Sequence, residues 1–319
     1  MDERDPVQQR SEGTLDLHDV TDWEARSALD RLSLRLYQGI KWGLQAMLVV
    51  LAVLILLGQF ALGGLGAVTN PDIGVFVALS AVPAFGLAAY IWYADVTTPE
   101  PLVLLVGTFV LGVLFAGFAG VLNVELSAVL DALGIGVIGF YFLVVGPVEE
   151  SVKLLAVRLY AYRSARFDAV IDGAVYGAVA GLGFATIENA YYITSNIDTV
   201  SAGAITSVRA LAGPGHVIYS AFAGYYLGLA KFNREHAGPI VLKGLLIAAF
   251  IHGLYNVLSE FLPTALAAVL GVNWFFGFVL YVLLFDGVFG LVLLRKLQAY
   301  RRAYDIVHRR RAQPSPPSE

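Results

Sequence analysis

Long apolar stretches alternate with short polar connections along most of the chain. Apolar runs of about 20 residues match the length that an α-helix needs to cross a hydrocarbon core of about 30 Å. We predict an all-α, polytopic membrane helix bundle with about eight transmembrane helices, because helices satisfy their own backbone hydrogen bonds in lipid. The alternating pattern of barrel strands does not appear. The predicted spans cover residues 42–68, 72–94, 102–124, 134–160, 170–195, 203–230, 239–260 and 266–294.

Polar segments flank the predicted membrane domain, which covers residues 39–295. Residues 1–38 are mixed in charge and lack the basic region and short apolar core of a signal peptide, so we expect a polar cytoplasmic segment there. Residues 296–319 are rich in arginine and proline and are predicted to form a cytoplasmic tail at the membrane surface. Gly271 and Asn273 indicate that the last span begins as a surface segment.

Composition and charge narrow the functional classes. Of the 319 residues, 58% are hydrophobic and 14% are charged, a balance that is typical of a membrane protein. The chain has no cysteine, which excludes disulfides, thiolate nucleophiles and Cys-ligated metals. The net charge of −4 argues against a nucleic-acid partner and leaves the lipid bilayer as the predicted surroundings.

Lysine and arginine residues gather in the connections after the fourth, sixth and eighth spans. The connections at 125–133, 195–202 and 260–265 carry none. Because positively charged connections stay on the cytoplasmic side, we predict a multi-pass protein of the cell membrane with both termini in the cytoplasm.

Three ionisable residues interrupt the fourth span: Glu149, Glu150 and Lys153. A charged side chain at mid-membrane costs roughly 2.5–3.5 kcal/mol, so such residues face a bundle interior, a partner or water. Pro147, just before them, predicts a kink. Successive helical residues point about 100° apart, so one glutamate is expected to pair with Lys153 and the other to reach into the bundle centre. A purely structural ion pair is the alternative.

The fifth span begins with a small-residue face. Gly173, Gly177 and Gly181 recur every four residues and predict the close approach of another helix. Asp168 and Asp172 lie one turn apart at the start of this span. They fit either a helix cap or a functional pair.

A polar cluster of Glu188, Asn189 and Tyr192 follows near the end of the fifth span. Counting residues places Glu188 nearer the outer face than Glu149, so a shared site would need helix tilt or a water-filled cavity. Arg209, in the next span, is predicted either to neutralise a carboxylate such as Glu188 or to lie at the membrane interface.

The sixth and seventh spans each carry one histidine. His216 follows a Gly-Pro-Gly sequence at 213–215, which we expect to loosen the helix. His252 is followed on one helical face by Tyr255 and Asn256. Both histidines fall near the depth of the paired glutamates. Two carboxylates and two histidines from three helices would suit general acid–base chemistry, a metal site or a proton path.

Together these motifs resemble the PrsW family of intramembrane proteases, which is related to the CAAX prenyl-protease and bacteriocin-processing membrane enzymes. The resemblance covers about residues 135–260. It implies hydrolysis of a peptide bond in or near the membrane, in a membrane-anchored protein such as an anti-sigma-like regulator, by site-1-type regulatory proteolysis. The four motifs stand in the family's order: Glu149-Glu150-x-x-Lys153, Glu188-Asn189-x-x-Tyr192, His216-x-x-x-Ser220 and His252-x-x-Tyr255-Asn256.

The resemblance also implies roles for single residues. Glu149 or Glu150 would be the general base for water. His216 or His252 would stabilise or protonate the tetrahedral intermediate, and Asn256 would donate a hydrogen bond to the oxyanion.

Lys153 and Glu188 complete the expected catalytic set. Lys153 departs from the arginine of the wider group but agrees with the PrsW branch. Asp286, in the last span, is expected to face the same cavity. If a divalent metal such as zinc takes part, its expected ligands are Glu150, His216 and His252.

Two other classes of function compete with proteolysis. A proton-coupled transporter or channel would use the same network of glutamates and histidines. The crowding of polar residues into one half of the chain weighs against it, because transporters often repeat their motifs in both halves. A non-catalytic membrane scaffold is disfavoured because all four motifs are intact.

Overall fold

The computed structural model describes residue 16 and residues 25–59 and 71–312, and within these ranges the chain is helical and contains no strand. Most of the predicted polar segment 1–38, the end of the first predicted span and the last residues of the tail lie outside the described residues. The helices are α1 (Ala28–Gln59), α2 (Pro71–Tyr93), α3 (Leu102–Ala132), α4 (Val137–Phe140), α5 (Gly146–Leu159), α6 (Val170–Asn196), α7 (Ala202–Lys231), α8 (Ala237–Leu270) and α9 (Trp274–Ala312).

The all-α polytopic fold predicted from the sequence is confirmed. Among the described residues, six helices are long and apolar enough to cross a membrane, namely α1, α2, α3, α6, α8 and α9. The fourth predicted span, which corresponds to α4 and α5, and the sixth, which corresponds to α7, are also helical. Like α6 and α8, they carry polar motifs. The chain divides into two compact units, 1–53, which holds most of α1, and 54–319, which holds α2 to α9.

Helices α6 and α7 pack backbone to backbone at the centre of the second unit. The predicted glycine face of α6 is confirmed, because a Cβ added at Gly173, Gly177 or Gly181 would lie 2.1, 2.2 or 2.4 Å from a carbonyl oxygen of α7. Those oxygens belong to Gly224, Ser220 and His216, respectively. Close approach of small residues is the main means by which helices associate in lipid. This contact places the start of the His216 motif directly against α6.

The fourth span is helical from Val137 to Leu159 and contains a π-helical turn just before Pro147. Residues Tyr141–Val145 form this turn between α4 and α5, and π-turns inside helices often occur at functional sites. A Cβ at Gly146 would lie 2.4 Å from the carbonyl oxygen of Ala249 on α8, so α5 packs closely against α8 directly after the turn. Glu149 therefore lies in the first turn of α5.

Two sequence-based boundaries are wrong, namely the end of the seventh predicted span and the start of the eighth. Helix α7 stays continuous through Pro214, so the expected loosening before His216 does not interrupt the helix. Helix α8 continues through Pro263 to Leu270 and ends at Gly271, whose φ of 66° is the left-handed conformation that favours glycine at a helix C-terminus. The last span therefore begins at Trp274 rather than near residue 266.

Asp172 has the structural role expected at the start of α6, whereas the N-cap residue is Ala169 rather than Asp168. The Asp172 carboxylate accepts hydrogen bonds from the backbone N–H groups of Ala169 at 2.8 Å and Asp168 at 2.7 Å. The Asp168 carboxylate accepts a hydrogen bond from the Thr98 hydroxyl at 3.2 Å. These residues fix the N-terminus of α6 and lie outside the candidate site.

We expect Gly177→Ala to lower the thermal unfolding midpoint of the detergent-purified protein. The added methyl would meet the Ser220 carbonyl, and overpacking of this kind costs about 1–3 kcal/mol. The matched control is Gly86→Ala in α2, where a Cβ would meet nothing within 4 Å. That change should raise or preserve the midpoint, because alanine favours helices by about 1 kcal/mol over glycine. Equal midpoints for the two variants would contradict the packing account.

Candidate active site

The polar motifs converge on a cavity of about 480 Å³ that is lined by residues of α3 to α9. Three of the helices that line it carry one predicted motif each, and α5 carries the paired glutamates. The polar residues that line this central cavity are Asn123, Tyr141, Glu149, Glu188, Tyr192, Arg209, His216, Tyr219, His252, Tyr255, Asn256 and Ser259.

Lys153 is the buried cation of the site. Its ammonium nitrogen lies 2.7 Å from Glu150 Oε1, 3.6 Å from Glu149 Oε2 and 2.9 Å from His216 Nδ1. It also lies 4.1 Å from the centre of the Phe184 ring, a cation–π contact. Lys153 therefore joins α5 to α6 and α7 and compensates the charge of the adjacent glutamates.

Glu150 is bonded on both of its carboxylate oxygens. Oε1 accepts from Lys153 and from His252 Nδ1 at 2.9 Å, and Oε2 accepts from the Ser220 hydroxyl at 3.2 Å. The side chain is fully buried. Glu150 thus orients a histidine and pairs with Lys153, as a second carboxylate commonly does for a catalytic or metal-binding imidazole.

Glu149 has an oxygen without a hydrogen-bond partner. Oε1 accepts from Asn123 Nδ2 on α3 at 3.1 Å. Oε2 is buried and, among the described residues, has no hydrogen-bond donor. It lies 3.7 Å from His252 Nε2. The residue lines the central cavity, so this oxygen is the carboxylate atom best placed to act on a bound molecule.

The hydrogen bonds assign the tautomers of the two histidines. Because a lysine ammonium only donates, His216 Nδ1 accepts from Lys153, and Nε2–H donates to Glu188 Oε2 at 3.0 Å. Because a carboxylate accepts, His252 Nδ1–H donates to Glu150, and in the neutral imidazole the Nε2 lone pair then faces Glu149. In that tautomer a donor or a cation close to both atoms would satisfy the two acceptors.

Glu188 belongs to the same site, which resolves the question raised by residue counting. Its carboxylate pairs with the Arg209 guanidinium and with His216. Of the two roles expected for Arg209, neutralisation of Glu188 is therefore the correct one. The guanidinium also donates from Nε to Asn189 Oδ1 at 2.8 Å and lies over the Tyr192 ring at 4.4 Å.

The residues that could hold a metal ion here differ by one from the expected set. Donor atoms of Glu149, His216 and His252 lie within 4.8 Å of one another, whereas Glu150 is not part of this group. One carboxylate and two imidazoles are typical ligands of catalytic zinc. The unpartnered Glu149 oxygen and the His252 lone pair fit a cation directly, and His216 would exchange one of its hydrogen bonds for it.

Sequence reasoning missed Asn123 and misplaced Asp286. In the sequence, Asn123 stands out only as a single amide within the apolar helix α3. The rest of that stretch predicts a lipid-facing span. Asp286 is not among the residues that line the central cavity. Its oxygens are buried and have no hydrogen-bond partner among the described residues.

A membrane helix bundle with glutamates and histidines around a buried cavity is typical of two classes of protein. These are membrane hydrolases and membrane proteins that transfer protons. The family model for the PrsW family of intramembrane metalloproteases matches residues 100–288. The chain therefore belongs to the PrsW family and is a membrane peptidase. No solved structure matches the chain significantly.

Named relatives support this assignment over the transporter and scaffold alternatives. Protease PrsW of Bacillus subtilis is 29% identical over 229 residues, which cover 70% of this chain and 97% of the relative. Protease PrsW of Geobacillus kaustophilus is 30% identical over 181 residues, covering 56% and 77%. Protease PrsW of Shouchella clausii is 28% identical over 181 residues, covering 56% and 81%.

We expect Asn123→Ala to lower peptidase turnover about 10-fold, because Glu149 loses its only hydrogen-bond donor among the described residues. A hydrogen bond to a charged group contributes about 1.5–3 kcal/mol, and 1.4 kcal/mol corresponds to a factor of ten. The measurement is kcat on a cleaved membrane substrate. The control is Leu122→Ala, a neighbour on α3 that is 44% exposed. Unchanged turnover in the Asn123 variant would contradict this positioning role.

Proposed function

We propose that the chain is an endopeptidase that hydrolyses a peptide bond, in or near the membrane, of a membrane-anchored protein, in regulatory proteolysis of a substrate such as an anti-sigma-like regulator. The observation that carries the proposal is the 3.7 Å approach of Glu149 Oε2, which has no hydrogen-bond partner among the described residues, to His252 Nε2. The Lys153 ammonium lies 3.6 Å from the same oxygen. A water molecule beside the two atoms, about 2.8 Å from each, would donate to both and be activated for attack on a carbonyl.

Each buried side chain then has a distinct task. Glu149 takes the proton of the attacking water. Glu150 holds His252 through Nδ1, so that Nε2 faces the reacting atoms. Asn256 lines the central cavity and is the proposed donor to the oxyanion.

The polar residues on α6 and α7 are proposed to support this centre. The ion pair of Glu188 with Arg209 orients His216 through its Nε2–H. A divalent cation such as zinc, held by Glu149, His216 and His252, would supply Lewis-acid stabilisation of developing negative charge. Binding of that cation would use the Glu149 oxygen as a ligand rather than as a base, so metal content distinguishes the two roles of this carboxylate.

The proposed orientation places both termini in the cytoplasm, and it is supported by the distribution of lysine and arginine. The Lys231 ammonium donates to the backbone oxygens of Tyr162 and Phe167, so the end of α7 and the connection after α5 lie at the same end of the bundle. On this topology the Glu188 end of α6 points to the outer side of the membrane.

We expect His252→Ala and His252→Gln to reduce cleavage at least 100-fold, because acid–base groups contribute about 10²–10⁴-fold. The assay follows fragments of model single-span proteins, labelled at both ends, with the purified peptidase in liposomes. Asp198→Asn, at an exposed connection, is the control and should cleave normally. Cleavage retained by both folded variants, or no cleavage of any membrane-anchored protein by the wild type, would contradict the proposal. Elemental analysis of the same preparations, before and after chelation, reports whether a cation is held.

A further inference from the structure

A cluster of three carboxylates lies where the connection between α2 and α3 meets the start of α6. Donor oxygens of Asp95, Glu100 and Asp172 lie within 4.8 Å of one another, and we call these three residues the acidic cluster. Asp172 and Glu188 are 16 residues apart on α6 (188 − 172), which corresponds to about 24 Å along the helix. The acidic cluster is therefore separate from the central cavity, and none of its members lines that cavity.

The local sequence restrains Glu100. Pro99 and Pro101 flank it, and a residue that precedes proline is restricted to extended conformations. Pro101 is also the N-cap residue of α3, so this helix begins directly after the glutamate. Glu100 is 5% exposed and Asp172 is 1% exposed. Two of the three carboxylates are thus almost completely removed from solvent.

Each member of the acidic cluster is held through one oxygen, and its second oxygen has little or no hydrogen bonding. Asp95 Oδ1 accepts from the N–H and the hydroxyl of Thr97 at 2.8 and 2.7 Å, whereas the buried Oδ2 has no partner among the described residues. Glu100 Oε2 accepts from the Tyr176 hydroxyl, whereas the buried Oε1 has no partner there. Asp172 Oδ2 caps α6, and Oδ1 lies 3.3 Å from the Thr97 hydroxyl, whose one proton is shared with Asp95.

The negative charge of the acidic cluster has no basic partner. In the part of the chain that the structure describes, no lysine or arginine forms an ion pair with these carboxylates. Arg166 and Lys231 donate instead to backbone oxygens of the neighbouring connections, at 3.1 and 2.7 Å. Burial raises the pKa of Glu100 to about 8 and also raises the pKa of Asp95, because an ionised carboxylate loses hydration there. The folded acidic cluster therefore needs a bound cation or protons.

The donor atoms of the acidic cluster favour a hard cation. Ca²⁺ and Mg²⁺ prefer oxygen ligands at about 2.0–2.6 Å, so oxygens on opposite sides of such an ion lie about 4–5 Å apart. The separations in the acidic cluster, at most 4.8 Å, agree with that range. The cluster offers carboxylates alone, whereas the candidate active site also offers imidazoles, which suit zinc.

We propose that Asp95, Glu100 and Asp172 bind one hard divalent cation, Ca²⁺ or Mg²⁺, which joins the α2–α3 connection to the start of α6. This site is independent of the proposed peptidase function. The alternative, in which a proton shared between Glu100 and Asp95 compensates the charge, is an outcome of the test below.

The test measures the thermal unfolding midpoint of the detergent-purified, full-length protein. The protein is first treated with a chelator, which is then removed, and Ca²⁺ or Mg²⁺ is added in separate titrations. Glu100→Gln removes the charge and keeps an oxygen that can accept from Tyr176, and Asp95→Asn is an independent second variant. The matched control is Asp198→Asn, at an exposed position. His252→Ala reports whether the candidate active site contributes to the response.

We expect one of the two ions, at 100 times its Kd, to raise the midpoint of the wild type by about 5 °C. The same rise should occur in Asp198→Asn and His252→Ala, and it should be lost in Glu100→Gln and Asp95→Asn. A wild type that responds to neither ion at millimolar concentration would overturn the inference and assign the compensation to protons. Equal rises in the wild type and both cluster variants, or loss of the rise in His252→Ala, would also overturn it. None of these outcomes bears on peptidase activity.

Discussion

The buried ion pair between Lys153 and Glu150 is the interaction on which the rest of the site depends. Its nitrogen and oxygen lie 2.7 Å apart, and both side chains are fully buried. Burial of charge is costly, and removal of one partner from such a pair costs about 3–5 kcal/mol. The pair persists because Ser220, His252, His216 and the Phe184 ring satisfy its remaining hydrogen-bonding and electrostatic demands. Four helices are thus joined around one lysine.

Adjacent glutamates perform different tasks because of helix geometry. A rotation of about 100° between successive residues turns Glu150 into the packed interface and Glu149 toward the central cavity. Glu150 has hydrogen bonds on both oxygens, whereas Glu149 keeps one oxygen unpartnered. The carboxylate that maintains the structure and the one proposed to react are therefore next to each other in sequence, and the first holds the histidine that faces the second.

Much of the fold and part of the site could be predicted from the sequence. The lengths of the apolar stretches predicted the helices, and the four-residue spacing of the glycines predicted the contact between α6 and α7. Local patterns could not show which glutamate faces the cavity, because that depends on how α5 packs after its π-turn. Asn123 was missed because its role exists only where α3 meets α5. The end of α8 was misplaced because Pro263 is tolerated inside a membrane helix, whereas Gly271 ends it.

The most direct test of this account compares Glu149→Gln with Glu150→Gln in the same two measurements, cleavage rate and thermal unfolding midpoint. Glu149→Gln should lose at least 100-fold in cleavage while its midpoint stays near that of the wild type. Glu150→Gln should lower the midpoint much more, because Lys153 keeps its charge without its nearest partner. Full cleavage by the Glu149 variant, or a larger loss of stability in that variant than in the Glu150 variant, would contradict the account.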